Sequence, residues 1–122
     1  MTETAVTMRV RIIDPLTSAI DINGSVTRAA EATLMDAYHQ ASRPQTRTII
    51  LNFSDLDFMN SSGIGLLVTF LVRANRQAQT VYAYGLSQHY RDIFALTRLD
   101  EAIHLADDEP SALAAAHEGV GR

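Results

Sequence analysis

The 122-residue sequence predicts an α/β fold: a small mixed, largely parallel sheet with an N-terminal hairpin, covered by about four helices. Three observations lead there. Two alternating segments near the N-terminus are joined by a short turn and should pair antiparallel. Beyond them the apolar period switches repeatedly between helix and strand, as in units that build parallel strands with right-handed crossovers. With 47% hydrophobic and 20% charged residues, the chain has enough apolar material for one core.

Met8–Ile13 alternates Val10 and Ile12 with Arg9 and Arg11, the pattern of a half-exposed strand. Asp14-Pro15 turns the chain, Ser18–Ile22 forms the second strand, and Asn23-Gly24 is expected to close it. Thr27–Ala41 reads as a helix, because Ala30, Leu34, Ala37, Tyr38 and Ala41 recur at three- and four-residue spacing. Thr27 suits its N-cap, and Ser42-Arg43-Pro44 ends it, since a residue before proline is pushed out of the helical region. Thr48–Phe53 is apolar and β-branched, as a strand covered on both faces would be.

Ser61–Ala78 carries the strongest helical period, with Ile64, Leu67, Val68, Leu71 and Asn75 predicted on the buried face. Val81–Tyr84 is a short strand, and Ser87–Thr97 a helix packing Ile93 and Phe94. Ala102–Leu105 is a last strand. Pro110–Glu118 is an Ala-rich helix with proline at its start, and Gly119–Arg122 should fray. No repeat, linker or second domain is visible, so residues 1–122 are expected to form one domain.

Composition excludes several chemistries. All ten basic residues are arginine, so a Schiff-base or P-loop lysine is ruled out. The absence of cysteine removes disulfides and thiolate chemistry. A net charge of −4 disfavours nucleic acid as a partner. No apolar run approaches the roughly 18 residues of a membrane span. Met1-Thr2-Glu3-Thr4 does not start a signal peptide, so a cytoplasmic location without membrane contact is expected. His39, His89, His104 and His117 have no ligand spacing, and neither a metal nor a cofactor is expected.

The chemistry concentrates in Leu51–Leu67. Two carboxylates, Asp55 and Asp57, follow the strand in what reads as a flexible loop. Asn60, Ser61 and Ser62 are all good capping residues, so a hydroxyl lies at the start of the long helix. The amides there create a positive local field that can hold a phosphate. Spacing alone leaves open a role for Ser61 or Ser62 as a plain cap. Gly63-Ile64-Gly65 is not a dinucleotide fingerprint, because Val68 occupies the third glycine position. Asn60 likewise breaks a G-x-S-x-G nucleophile elbow.

Strand, loop and Met59-Asn60-Ser61-Ser62-Gly63-Ile64-Gly65 together resemble the signature of STAS domains, specifically bacterial anti-sigma factor antagonists. The family's usual form is Asp-Ser-Ser-Gly or Asp-Ser-Ala-Gly after a strand and a short acidic loop. Ile22-Asn23-Gly24, Gly85–Leu99 and Glu109–Leu113 extend the resemblance over nearly the whole chain. It implies the anti-sigma factor antagonist fold and a non-enzymatic protein switched by phosphorylation. The phosphoacceptor it implies is Ser61, the kinase an anti-sigma factor of the GHKL ATPase type, and the reversing enzyme a PP2C-like phosphatase. The switch and partner-binding surface would comprise Asn60, Ser62, Gly63, Leu66 and Phe70, with Asn23, Gly24, Ser25 and Thr27 from the preceding segment. Leu66 and Phe70 enter as an apolar pair, four residues apart, which would suit a partner-binding surface if exposed beside Ser61; for Phe70, burial against the adjacent helix is an equal alternative.

The chain departs from the family pattern at Asn60, where the family has aspartate, and at Ser25 and Thr27, where acidic residues are common. Two rival readings follow. One is a STAS scaffold or transporter-complex subunit whose Ser61 carries no phosphate. The other is a small serine hydrolase or nucleotide-hydrolysing domain, for which no paired base is visible in the sequence. Asp107-Asp108-Glu109 reads as an acidic helix start, and Arg73 and Arg76 as a solvated face, with binding of an acidic partner as the alternative.

Overall fold

A computed structural model describes residues 5–120. The strands are β1 (Thr7–Asp14), β2 (Thr17–Val26), β3 (Thr48–Met59), β4 (Thr80–Tyr84) and β5 (Ile103–Leu105). The helices are α1 (Glu31–Ala41), α2 (Ser61–Arg76), α3 (Gln88–Leu96) and α4 (Glu109–Val120), with one 3-10 turn, Arg28–Ala30, leading into α1 and another, Leu99–Glu101, between α3 and β5. The predicted order of elements and the mixed sheet are both present. Met1–Thr4, read for a signal peptide, and the end of the predicted fraying segment lie outside the described residues.

Strand order follows chain order, β1-β2-β3-β4-β5, with β1 antiparallel to β2 and every later pair parallel. Successive right-handed crossovers in one direction put their helices on one face. Accordingly Leu34 and Tyr38 of α1, Leu67 and Phe70 of α2, and Tyr90 and Phe94 of α3 share a core with Ile20, Ile22, Ile49, Leu51, Phe53 and Val81. The opposite face of the sheet presents Ala19 and Ile50, and α4 covers them with Ala112 and Leu113.

This second core is small, and charge supplements it. Arg11 of β1 donates to both carboxylate oxygens of Asp21 (2.7 and 2.8 Å) and to Glu109 at the start of α4 (2.6 Å). Asn52 donates to Asp21 and the Tyr84 hydroxyl to Glu109, each at 2.9 Å. The Arg11 guanidinium holds the Glu109 carboxyl below its ordinary value. Burial pushes Asp21 upward, but hydrogen bonds from Arg11 and Asn52 outweigh it and leave that carboxyl lowered too. Burial, together with the bond to Glu109, pushes Tyr84 up to about 12. Asp108 is the side chain that caps α4, accepting from the Ser111 amide at 2.9 Å. Glu109 stands in the first turn of α4, as the acidic helix start predicts, and is in addition the ion-pair partner of Arg11.

Three sequence expectations need correction. Asn23-Gly24 does not end β2. Gly24 takes a φ of +100°, which bends the strand, and the β2–β3 register shifts on either side of it while pairing runs on to Val26. The acidic segment after Phe53 is consequently not a loop: Asp55 and Leu56 pair with Asn23 and Gly24, and Met59 with Val26. On α2, the buried residues are Gly63, Leu67, Phe70 and Ala74, rotated by about one position from the predicted face. Val68 and Val72, each 45% exposed, lie outside, and Phe70 is fully buried with its ring edge-on to Tyr38 at 5.3 Å.

Two outcomes are expected. Phe70→Ala should cost about 3–5 kcal/mol of stability and Val72→Ala at most about 0.5, read by chemical denaturation. Glu109→Gln should cost about 1–2 kcal/mol at pH 7, discounted for partial exposure. Glu109 and Asp21 are depressed on folding, so their contribution is complete above their unfolded values and is lost as pH falls through the folded ones. The penalty of Glu109→Gln should therefore shrink below about pH 4, and a penalty independent of pH would contradict the ion-pair account.

Candidate functional site

The site lies beyond the carboxyl ends of β2 and β3, where parallel sheets commonly place ligands. β4 stops opposite Asn52, but β2 and β3 continue as a two-stranded ribbon to Val26 and Met59. Each strand then leads into a helical segment through its own cap. Thr27 Oγ1 accepts from the Ala29 amide at 3.3 Å, and Asn60 Oδ1 accepts from the Gly63 amide at 2.9 Å.

These two strand-to-helix junctions meet at the Val26 carbonyl. It accepts from the Asn60 amide at 3.4 Å, and a Cβ on Gly63 would sit 2.0 Å from it. No side chain fits there. The other edge of the ribbon is held from α3: the Met59 amide donates to the Tyr90 hydroxyl at 2.8 Å, and that hydroxyl lies 3.4 Å from the Met59 carbonyl. The sequence reading did not single out Tyr90. Its signal was a tyrosine four residues before Phe94 on the apolar side of a helix.

Asn60 is thus the cap of α2, which settles the alternatives left open by spacing. Ser61 and Ser62 occupy its first turn, both exposed, and neither hydroxyl is bonded to a histidine or carboxylate among the described residues. Ser62 and Leu66 border a cleft of about 430 Å³ that Arg28 and Gly65 also line. A Cβ on Gly65 would meet nothing within 4 Å, so the fold itself does not require this glycine.

The remaining predicted surface residues divide. Asn23 is exposed and Thr27 half-buried, and the Val26–Met59 pairing brings their segment beside Asn60 and Ser61. Gly24 and Ser25 are buried, as is Gly63, so they shape the surface from below and present no side chain to a partner. Leu66 is half-buried against the core. Phe70 is removed from the predicted surface altogether, because the face of α2 centred on Gly63 and Ala74 turns it inward. Asp55 and Asp57 are exposed on the ribbon. Among the described residues there is no group of three or more His, Asp or Glu placed to hold a metal ion, and no helix is long and apolar enough to cross a membrane.

Comparison with known proteins fits this geometry. The family profile described as "Mlab, STAS domain" matches residues 13–107. An anti-sigma-B factor antagonist of Staphylococcus aureus is 32% identical over 60 residues, which are 49% of this chain and 56% of that protein, so the match spans about half of each. The anti-sigma factor antagonist SpoIIAA in its unphosphorylated form superposes with a TM-score of 0.70 at 24% identity, covering 92% of this chain and 97% of that one. A sulfate transporter family protein from Wolinella succinogenes gives 0.75 at 15% identity, covering 92% and 93%. At these identities the two structures share the fold.

The two glycines of the motif should respond oppositely to alanine. Gly63→Ala should destabilise the protein by about 2 kcal/mol or more, because the strand end and helix start must separate. Gly65→Ala should stabilise it by up to about 1 kcal/mol, the helix-propensity gain at an open position. Thermal and chemical unfolding of both variants check this, and equal effects would contradict the close approach at Val26.

Proposed function

This chain belongs to the STAS domain family, and on that premise we propose that it is an anti-sigma factor antagonist, binding a partner anti-sigma factor through the end of the β2–β3 ribbon and the first turn of α2. Phosphorylation of Ser61 switches the complex. The kinase is the anti-sigma factor itself, of GHKL type, and a PP2C-like phosphatase reverses the reaction. The chain catalyses nothing and works in the cytoplasm.

The observation that carries this reading is the state of Ser61. It is exposed at the head of α2, and its hydroxyl makes no hydrogen bond among the described residues, Asn60 supplying the cap. The anti-sigma-B factor antagonist relative supports the partner class. A phosphate adds roughly −1.5 to −2 charges at neutral pH. The helix N-terminus attracts that charge, whereas exposed Asp55 and Asp57 on the adjoining strand repel it. A partner surface fitted to a neutral serine would have to desolvate it, which is enough to reverse binding. A specific pair of observations favours a second reading, a transporter-complex subunit with an unmodified serine: the Wolinella sulfate transporter family neighbour, and Asn60 in place of the family's aspartate.

Purification of the anti-sigma partner and incubation with ATP test the proposal. Phosphate should appear on Ser61, vanish in Ser61→Ala and persist in Ser62→Ala, by mass spectrometry. Ser61→Asp should weaken partner binding by about tenfold or more. Phosphate on Ser62 alone would move the acceptor. Unmodified serine with unchanged affinity in Ser61→Asp would favour the transporter-subunit reading.

A further inference from the structure

From the surface beside α2, we infer that the groove between α1 and α2 is the seat of an acidic amphipathic helix contributed by the protein partner. This rests on the reading of the chain as a partner-binding protein, and it does not depend on phosphorylation of Ser61.

The groove is built from two clefts that meet at Thr69. One, of about 430 Å³, opens at Ser62. The other, of about 570 Å³, continues between the C-terminal halves of α1 and α2 as far as Gln77. Ser62 to Gln77 corresponds to roughly 22 Å of helix at 1.5 Å per residue, the span of about four helical turns laid alongside. Along the middle of the α2 side Gly65, Leu66, Thr69 and Val72 are small or apolar, whereas Ser62 at one end and Arg73, Arg76 and Gln77 at the other are polar or charged. Thr69 donates its hydroxyl back to the Gly65 carbonyl at 3.3 Å, so that polar group is already engaged. Gly65, which the fold does not require, leaves open space for a neighbouring backbone. Such a floor receives the apolar stripe of a helix.

Charge selects which helix. The chain as a whole carries −4, yet cations mark both ends of this groove. Arg28 lies at the Ser62 end, and Arg73 and Arg76 at the other. None of the three makes an ion pair or a side-chain hydrogen bond among the described residues, whereas Arg9, Arg11, Arg91 and Arg98 are each matched to a carboxylate. Glu31 is the acid lining the Arg28 end. A segment with carboxylates at both ends and apolar residues between them matches this arrangement, and a basic segment would be repelled.

A photo-crosslinking residue placed at Val72 of the full chain in its native cells tests the inference, with Ser62 as a second site and exposed Leu96 as control. The attached peptide is sequenced by mass spectrometry, then synthesised and titrated against the full chain. We expect position 72 to capture an acidic segment with apolar residues at helical spacing. Its synthetic peptide should bind at least about tenfold more weakly to the Arg73→Glu/Arg76→Glu variant and to Gly65→Leu, with circular dichroism unchanged. Capture of a basic or aperiodic segment, a second copy of this chain, nucleic acid or lipid overturns the inference. So does an unchanged peptide affinity in the variants. Capture at position 62 but not at 72 removes the groove and leaves the partner-binding reading intact. Capture at neither position removes both.

Discussion

The close approach of Gly63 to the Val26 carbonyl is the contact on which the site depends. β2 and β3 overrun the sheet together, and their ends have to diverge into separate helices without leaving buried amides unpaired. The Val26 carbonyl answers the Asn60 amide, the Asn60 side chain answers Gly63, and Tyr90 answers Met59. The first of these bonds brings the start of α2 directly against the end of β2, and only a residue without Cβ at position 63 allows that approach. The exposure of Ser61 follows from this geometry. With the cap made one residue earlier and the inward position given to glycine, the first helical residue faces out.

The two faces of the sheet are stabilised differently. One carries large side chains, including Phe53, Phe70 and Phe94, beneath three helices. The other carries one Ala-rich helix over Ala19 and Ile50, with Arg11, Asp21, Asn52, Tyr84 and Glu109 joined beside it. An alanine-lined contact buries little apolar area and specifies orientation weakly. A bidentate arginine pair specifies direction well. The ion network thus fixes where α4 starts, while the apolar core fixes the helices that carry the site.

The order of elements was legible because helix and strand periods survive in one dimension. The two misreadings of the ribbon share a cause: a distant partner. Gly24 looks like a stop until β3 is found beside it. Ser54-Asp55-Leu56-Asp57 has the composition of a turn, yet pairing with β2 along one edge makes it strand. The inward face of α2 begins at a glycine and ends at an alanine, which add little to any apolar count, so the apolar period points toward Ile64 and Val68. Glu109 is a helix-start acid as read, but its ion pair was not legible because Arg11 is 98 residues away. The motif itself was legible as a cap and a hydroxyl, but the division of labour between Asn60 and Ser61 required coordinates.

That division bears on how the proposed switch would work in this chain. An aspartate cap would place a full negative charge beside a phosphorylated Ser61, and repulsion within the chain would then contribute to release. Asn60 makes the same capping bond without that charge. The phosphate would meet the helix N-terminus without an opposing carboxylate at the cap, and the nearest acids in sequence are Asp57 and Asp55 on the ribbon. More of the free energy of switching must then come from the partner, through desolvation of the phosphate and its mismatch with a site fitted to a hydroxyl. A partner adapted to Asn60 would accordingly owe its discrimination to its own surface, and this chain would need little change in its own fold on phosphorylation.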